Sequence, residues 1–366
     1  MYFCYGLNYI VKYGDYMKRI SIIIPCYNVE NYIDQCLESL VNQTIGVADL
    51  EIIAVDDAST DNTLEHLLDY EKRYPQSVMV IHCEVNAKQG AARNLGLQYA
   101  TAPYVMFVDS DDWIELDACR KMYKMAEKYK CDAVAAGYVE ETSRTSTDVS
   151  KYKESDQFYI IENDADRGGF VGVDFGIGFA GNLYRKGMLI DNNILFPEGY
   201  YFEDDYWFVL SMHYINRAYI IGEKYYHYFH HSNSTIHKMD LEKQLDRAVV
   251  EQLKLQELLD RGIYARFPEL YEHEFLQRYY LQMTHILLTG FDHLEYDIIK
   301  QIHDEAYNIF PDYRQNQFIK RILSGVGGAF MTTLYDILDK QINNEVIDAL
   351  RNLDLNDDGR WIDLKI

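Results

Sequence analysis

The chain has 366 residues, of which 48% are apolar, so it is long and hydrophobic enough for one large or two ordinary folded domains. Its formal net charge of −23 argues against nucleic acid and anionic membrane as bulk partners, because both attract clustered Lys and Arg. A polyanionic ligand is compatible with this charge if a bound metal ion supplies positive charge locally.

The six cysteines are scattered and form no C-x-x-C pair, which predicts buried free thiols in a reducing compartment instead of disulfides or a zinc site. No stretch approaches the ~20 apolar residues that a membrane span needs. Residues 1–17 lack the apolar core of a signal peptide and are predicted to form an N-terminal extension. We therefore expect a cytoplasmic protein, either free or peripheral at the inner face of the membrane.

From Lys18 onward the sequence alternates between apolar runs and amphipathic segments. The runs "ISIIIPCYN", "LEIIAVDD", "VMVIHC" and "YVMFVDSDD" predict strands that are buried on both faces. Between them, "NYIDQCLESLVNQT", "STDNTLEHLLDYEKRY" and "GAARNLGLQYA" predict helices, the second with Leu64, Leu67, Leu68 and Glu71 in helical register. Repeated β-α steps of this kind predict an α/β fold with an open, mostly parallel sheet flanked by helices.

Three polar clusters, in "PCYN", "VDD" and "VDSDD", follow the predicted strands, and ligands of such sheets bind beyond the carboxyl ends of the strands. In "VDD", Asp56 and Asp57 could instead cap the next helix. In "VDSDD", Asp109, Asp111 and Asp112 would repel one another in a partly buried site unless a cation binds. A hard divalent cation with oxygen ligands fits this cluster, and an acidic surface turn is the alternative.

The ordered set of motifs over residues 18–239 resembles the family 2 glycosyltransferases, which are inverting enzymes of the GT-A fold. The resemblance implies a GT-A (Rossmann-like) domain over residues 18–239. It also implies metal-dependent, inverting transfer of a sugar from a nucleotide-sugar donor, above all a UDP-sugar. The acceptor would be a hydroxyl of a glycan or lipid-linked glycan, in the synthesis of cell-surface polysaccharide or glycoconjugates.

The resemblance also assigns residues to the donor. The positions that match the family's donor-binding residues are Pro25, Tyr27, Asn28, Glu30, Asp57, Lys88, Gly90, Arg93, Asp109 and Ser110. Asp57 matches the residue that hydrogen-bonds the base, and Asn94 belongs to the same segment as Arg93.

Asp109-Ser110-Asp111 matches the D-x-D motif, whose first acid usually faces the ribose and whose last acid binds Mn²⁺ or Mg²⁺ on the diphosphate. Asp109 is a second metal-ligand candidate, and Asp112 is expected to act alongside the pair. His231 either completes the metal shell, contacts the diphosphate or has a structural role. It stands, like Phe229, where many relatives carry an arginine.

Inverting displacement also needs a carboxylate that is free of the metal and takes the proton of the acceptor. Glu203-Asp204 resembles the family's E-D motif, so Asp204 is predicted to be the base, with Glu203 orienting it or the acceptor. Asp205 leaves this assignment ambiguous by one position. The alternative is that these acids only begin the helix "DDYWFVLSMHYI". Asn182 departs from the lysine often found before the "LYR" segment.

Residues 240–366 are predicted to form an all-helical C-terminal domain, beginning with a helix that places Leu245, Val249, Leu255 and Leu259 near one face and stops at Gly262. Packing or homodimer formation is favoured there over direct acceptor binding. The segment "DLNDDG" matches the first half of a calcium-binding loop, but Lys365 occupies its twelfth position, so we attribute the match to coincidence.

Three other functions share parts of this pattern: a haloacid-dehalogenase-like phosphatase, a receiver-type signalling module and a non-catalytic nucleotide-sugar-binding subunit. The position of the D-x-D motif on the fourth strand disfavours the first. The later E-D pair disfavours the second, and the presence of Asp109, Asp111 and Asp204 disfavours the third.

Overall fold

The computed structural model describes residues 4–5, 17–142, 146–147, 155–171, 178–231, 240–326 and 328–356. The chain divides into two compact units, Met1–Ser234 and Thr235–Ile366. The predicted domain boundaries after residues 17 and 239 stay predictions, and the side chains of the calcium-loop-like segment lie outside the described part. Within the described ranges, no helix combines the length and apolar character needed to cross a membrane.

The described strands of the first unit form one sheet. Its strands are β1 (Cys4–Tyr5), β2 (Ile20–Cys26), β3 (Leu50–Asp56), β4 (Val78–Cys83), β5 (Tyr104–Phe107), β6 (Trp113–Ile114), β7 (Ala133–Glu141), β8 (Ser146–Thr147), β9 (Gln157–Ile160), β10 (Leu183–Arg185) and β11 (Arg217–Phe229). Their order is β1-β4-β3-β2-β5-β10-β7-β11-β6, with β8 beside β7 and β9 beside β11. The backbone of Cys4–Tyr5, inside the predicted N-terminal extension, pairs with β4.

Helices of the first unit alternate with these strands. They are α1 (Ile33–Val41), α2 (Thr63–Arg73), α3 (Lys88–Tyr99), α4 (Ala118–Tyr129), α5 (Asp164–Val171), α6 (Lys186–Asp191) and α7 (Glu203–Met212). Every residue of β2 and β3 is buried, as expected for strands covered on both faces. The predicted α/β architecture is confirmed.

The sheet is parallel from β4 through β3 and β2 to β5 and becomes mixed beyond β5. The short strand β10 enters antiparallel to both β5 and β7, and β11 then runs parallel to β7. Because β10 has only three residues, its sequence shows no strand period. The prediction of a mostly parallel sheet therefore fits the first half of the sheet better than the second.

The predicted buried face of α2 is partly wrong. Leu68 is 46% exposed, whereas Leu67 and Tyr70 are buried. Tyr70 packs under the guanidinium of Arg73, and its hydroxyl donates to Glu38 on α1. The amphipathic tyrosine therefore takes the inward position that the periodicity gave to a leucine.

The described residues of the second unit form helices joined by turns, with no strand among them. Its helices are α8 (Leu241–Asp260), α9 (Pro268–Phe275), α10 (Met283–Thr289), α11 (Tyr296–Ile309), α12 (Gln317–Arg321), α13 (Ala329–Ile337) and α14 (Asn344–Asn356), with π-helical turns at Leu276–Gln282 and Ile322–Val326. On α8, Leu259 is exposed, contrary to the predicted face. Lys254 is buried instead, because Glu251 and Glu274 both accept hydrogen bonds from its ammonium group.

His273 in α9 predicts a pH-dependent stability of the second unit. The side chain is 1% exposed, neither ring nitrogen has a hydrogen-bond partner among the described residues, and the ring stacks on Phe318. Burial lowers the pKa of His273 to about 4, against about 6.5 in an unfolded chain. Below pH about 6.5 the unfolded state therefore binds a proton at His273 that the folded state does not bind until the pH approaches 4. Stability should fall as the pH drops toward about 4, by up to about 3 kcal/mol.

Hydrogen exchange of α9 in the full chain, followed from pH 7 to pH 5 after correction for the intrinsic exchange rate, measures this effect. His273→Phe keeps an aromatic ring against Phe318 but cannot be protonated, so its protection should decline less on acidification. Equal declines in the two proteins would show that His273 does not set the pH response.

Candidate functional site

The carboxyl ends of β2, β3 and β5 lie side by side at one edge of the sheet. Cys26 pairs in register with Asp56, and the amide of Asp57 donates to the carbonyl of Cys26 over 2.8 Å. The amide of Val108 likewise donates to the carbonyl of Ile23. The three polar segments that follow these strands therefore meet, as the sequence predicted for a parallel sheet.

The loops after β2 and β3 are locked together by side chains. The Oδ1 atom of Asn28 accepts from the amide of Thr60 at 2.8 Å, and Oε2 of Glu30 accepts from the amide of Asn62 at 3.0 Å. Pro25 is buried within β2, whereas Tyr27 leaves about half of its side chain exposed. Asn28 and Glu30 thus shape this edge of the sheet, and Tyr27 presents a ring to solvent there.

Asp57 is 3% exposed, and of its two carboxylate oxygens one accepts a hydrogen bond and the other does not. Its Oδ1 atom accepts from the amide of Ala87, just before α3, at 2.9 Å. Its Oδ2 atom is buried without a hydrogen-bond partner among the described residues, and burial raises the pKa of Asp57. The start of α2 is held instead by Asp61, which accepts from the amide of Thr63. The alternative interpretation, that the "VDD" acids cap α2, is therefore wrong.

The three acids after β5 diverge to different partners. Asp109 accepts from Nη2 of Arg93 at 2.7 Å, and Oδ2 of Asp111 lies 2.9 Å from Nε2 of His231. Asp112 is buried, like Ser110, and accepts from the hydroxyl of Tyr226 at 2.6 Å and from the amide of Phe229 at 2.8 Å. Burial and repulsion from Asp111 and Asp109 hold the pKa of Asp112 well above its usual range. Asp112 thus fastens β11 to this turn, whereas Asp109 and Asp111 contact other side chains.

His231 connects the turn after β5 to the start of α1. Its ring stacks on Tyr32 with the centroids 4.1 Å apart and on Phe229 at 5.7 Å, while Nε2 contacts Asp111. Among the described residues, no three His, Cys, Asp or Glu side chains are grouped tightly enough to hold a metal ion together. Asp111 and His231 are thus two side chains of kinds that bind metal ions, and they contact each other.

Helix α3 holds the segment that leads into α7. Asn94 exchanges hydrogen bonds with the backbone of Phe196, donating at 2.8 Å and accepting at 2.9 Å. A Cβ atom on Gly90 would lie 2.6 Å from the carbonyl oxygen of Pro197, so only glycine allows this approach. Lys88 places its ammonium 4.3 Å from the ring centroid of Tyr201. These predicted donor-binding residues contact the segment before the E-D pair.

Arg93 joins the D-x-D and E-D motifs. Its Nη1 atom donates to Glu203 and its Nη2 atom donates to Asp109, and the guanidinium packs against the rings of Phe179 and Phe196. Gln89 donates a further hydrogen bond of 2.8 Å to Glu203. One buried cation therefore fixes the separation between the two acidic motifs.

The two acids at the start of α7 have different surroundings. Glu203 is 2% exposed, and its burial raises its pKa to about 7 although Arg93 opposes the shift. Asp204 is exposed to solvent, but surrounding protein still desolvates its carboxylate and Asp205 repels it, so its pKa is also raised. Phe202, the residue before them, has φ of +64°. A strained backbone thus turns Glu203 inward and leaves Asp204 accessible.

Residues 21–188 match the family model described as glycosyl transferase family 2. The chain is 30% identical over 273 residues to the uncharacterized glycosyltransferase YibD of Escherichia coli K12, an alignment covering 71% of this chain and 78% of YibD. The chain belongs to glycosyltransferase family 2.

Two further comparisons describe this family 2 glycosyltransferase. It is 34% identical over 212 residues to a poly(ribitol-phosphate) β-glucosyltransferase of Bacillus spizizenii. This alignment covers 58% of this chain and 32% of that enzyme, so the chain spans about a third of that relative. Its structure resembles Staphylococcus aureus TarS residues 1–349, solved in complex with UDP-GlcNAc, with a TM-score of 0.55 and 21% identity over 91% of this chain and 83% of that one. The structural likeness confirms the predicted GT-A fold.

Tyr226, which shapes the site in this family 2 glycosyltransferase, was not predicted from sequence. Tyr226 donates to Asp112 and accepts from the amide of Asp109, and its ring packs so closely that a Cβ atom on Gly181 would lie 2.3 Å from it. Asn182 is buried and bonds to the backbone of Gly178 and Ala136, so it is structural. A tyrosine more than a hundred residues from its partner carries no local sequence signal.

Proposed function

We propose that this chain is a metal-dependent, inverting glycosyltransferase that moves a sugar from a UDP-sugar to a hydroxyl of a surface-polysaccharide acceptor. The observation that carries the proposal is the contact of one guanidinium, that of Arg93, with both Asp109 and Glu203. It brings an accessible carboxylate, Asp204, beside the D-x-D turn, as acceptor activation next to a nucleotide site requires. The names of a poly(ribitol-phosphate) glucosyltransferase and a UDP-GlcNAc complex among the relatives support this donor and acceptor class.

A divalent cation fits the residues of this turn. Asp111 and His231 offer a carboxylate oxygen and an imidazole nitrogen in mutual contact, a donor set suited to Mn²⁺. Asp109 lies in the same turn but is paired with Arg93. We assign the ion to Asp111 and His231, with Asp109 beside them. When bound, it contributes positive charge that stabilises the leaving diphosphate.

The other residues of the site have separate tasks in this proposal. The buried, unpartnered Oδ2 atom of Asp57 accepts an N–H group of the base, which satisfies an oxygen that otherwise has no partner. The exposed ring of Tyr27 stands at the same edge and packs against the nucleoside. Asp204 takes the proton of the acceptor hydroxyl, while Glu203 stays bound to Arg93 and Gln89.

The proposal is tested by measuring nucleotide release and binding with a panel of UDP-, GDP- and CDP-sugars, with and without Mn²⁺. We expect Mn²⁺-dependent release of UDP and a product whose anomeric configuration, read by NMR, is inverted. Hydrolysis of phosphate esters without nucleotide-sugar binding would favour the phosphatase alternative. Tight binding without turnover on any polysaccharide acceptor or water would favour the non-catalytic alternative.

Asp57→Asn is expected to lower UDP affinity about tenfold to a hundredfold. The amide oxygen can still accept from Ala87, but the charge is lost and an amide N–H can replace the acceptor that faces the base. Calorimetric titration with UDP measures the change. Asp56→Asn is the matched control, because Asp56 is the adjacent buried acid and bonds to His82. Equal UDP affinities of wild type and Asp57→Asn would place the nucleoside elsewhere.

A further inference from the structure

The guanidinium of Arg93 is shared between two acidic motifs that lie far apart in sequence. It is 4% exposed and contacts Glu203, 110 residues away, on one nitrogen and Asp109 on another. Phe179 and Phe196 cover it, with centroid distances of 4.6 and 5.2 Å. Its Nε atom is buried without a hydrogen-bond partner among the described residues.

A buried arginine of this kind depends on both carboxylates. Removing a charge from water is costly, and the cost is recovered here only through hydrogen bonds to two anions in good geometry. The two nitrogens belong to one planar guanidinium that packs against two aromatic rings, so they cannot reorient independently. A displacement of Asp109 therefore changes the bond to Glu203, and the reverse also holds.

We propose that Arg93 is a positioning residue that couples donor binding at the D-x-D turn to the placement of the E-D pair. Glu203 is the first residue of α7, and Asp204 follows it directly, so the orientation of Glu203 sets where the accessible carboxylate of Asp204 points. Donor contacts that shift Asp109 are transmitted by Arg93 to this helix start. The coupling is reciprocal, so a change at Glu203 alters affinity for the nucleotide. This inference rests on the proposed function.

The coupling is measured by a double-mutant cycle that is read out through UDP affinity in the presence of Mn²⁺. The variants are Glu203→Gln, Arg93→Lys and the pair together. Arg93→Lys keeps the positive charge in the buried site but presents a point charge that cannot hold both carboxylates in the fork geometry. Thermal unfolding of each variant confirms that the fold persists.

We expect Glu203→Gln to change UDP affinity about fivefold or more in the wild-type background and less than twofold in the Arg93→Lys background. We also expect Arg93→Lys to lower kcat about 10²-fold, since a displacement of about 1 Å at the reacting groups costs that much, with a smaller change in KM. A merely structural arginine would lower stability without making the effect of Glu203→Gln depend on residue 93.

Two failures are distinguishable. If wild type binds UDP and Glu203→Gln has equal effects in both backgrounds, or none in wild type, the coupling is refuted while the proposed function stands. If wild type binds neither UDP nor any UDP-sugar, the proposed function is wrong and the coupling inference is rejected with it.

Discussion

Asp204→Asn is expected to reduce kcat by about 10²–10⁴ while leaving UDP affinity almost unchanged. The amide keeps the size of the side chain but cannot accept the proton of the acceptor hydroxyl, and loss of a general base costs a factor of this order. Glu203 cannot replace it, because Glu203 is buried against Arg93 and Gln89. Single-turnover transfer and calorimetry with UDP separate the two quantities.

Asp205→Asn is the neighbour control for this experiment. Adjacent residues of a helix point about 100° apart, so Asp204 and Asp205 cannot serve the same hydroxyl from the start of α7. Loss of transfer in Asp205→Asn with retention in Asp204→Asn would move the base one residue along. Retention of transfer in both variants would mean that these acids only stabilise the N-terminus of α7 and do not serve as the base.

The second large effect is expected from Asp111→Asn, which should lower Mn²⁺ affinity and transfer together by about 10²-fold or more. One anionic ligand is lost beside the diphosphate, and even changes in groups that only support metal ligands cost 10–100-fold. Titration of UDP binding against Mn²⁺ measures the affinity directly. Unchanged Mn²⁺ dependence in this variant would remove Asp111 from the metal site.

Asp112→Asn provides the matched comparison for Asp111→Asn. Asp112 lies one position further on in the same turn, but it is buried and bonded to Tyr226 and Phe229. Its replacement should lower the free energy of unfolding and leave the Mn²⁺ titration of the folded fraction close to wild type. If the two variants lose Mn²⁺ affinity equally, the separation of roles within the turn is wrong.

Much of the fold was predictable because its first half repeats a strong pattern. Continuous apolar runs gave β2, β3, β4 and β5, and amphipathic spacing gave α1 and α3. The errors have local causes. Leu68 and Leu259 fit a helical period yet are exposed, because Tyr70 and the ion-paired Lys254 occupy the buried positions. Periodicity counts apolar residues and does not see a polar side chain that finds its partner inside.

The site was predictable as a set of motifs but not as a set of contacts. The strand ends predicted that the segments around Tyr27, Asp57 and Asp109 would converge, and the family resemblance implied that the E-D pair belongs to the same site. The sequence could not show that the side chains of Asn28 and Glu30 would accept hydrogen bonds from the neighbouring loop. Nor could it show that Arg93 would bridge two carboxylates, because a bridge depends on the distance between elements and on the aromatic rings that cover it.

The fastening of the D-x-D turn by β11 has a consequence for how the chain matures. Tyr226 and Phe229 reach Asp112 across 114 and 117 residues of sequence, whereas the strands that carry the turn pair within the first third of the chain. Contacts of such long sequence separation form late, because a large loop must close before they can stabilise anything. A nascent chain that ends before β11 can therefore build the parallel sheet and still lack the hydrogen bonds that hold this turn. The turn that carries the proposed donor site is therefore held in place only after the last of the described strands has been made.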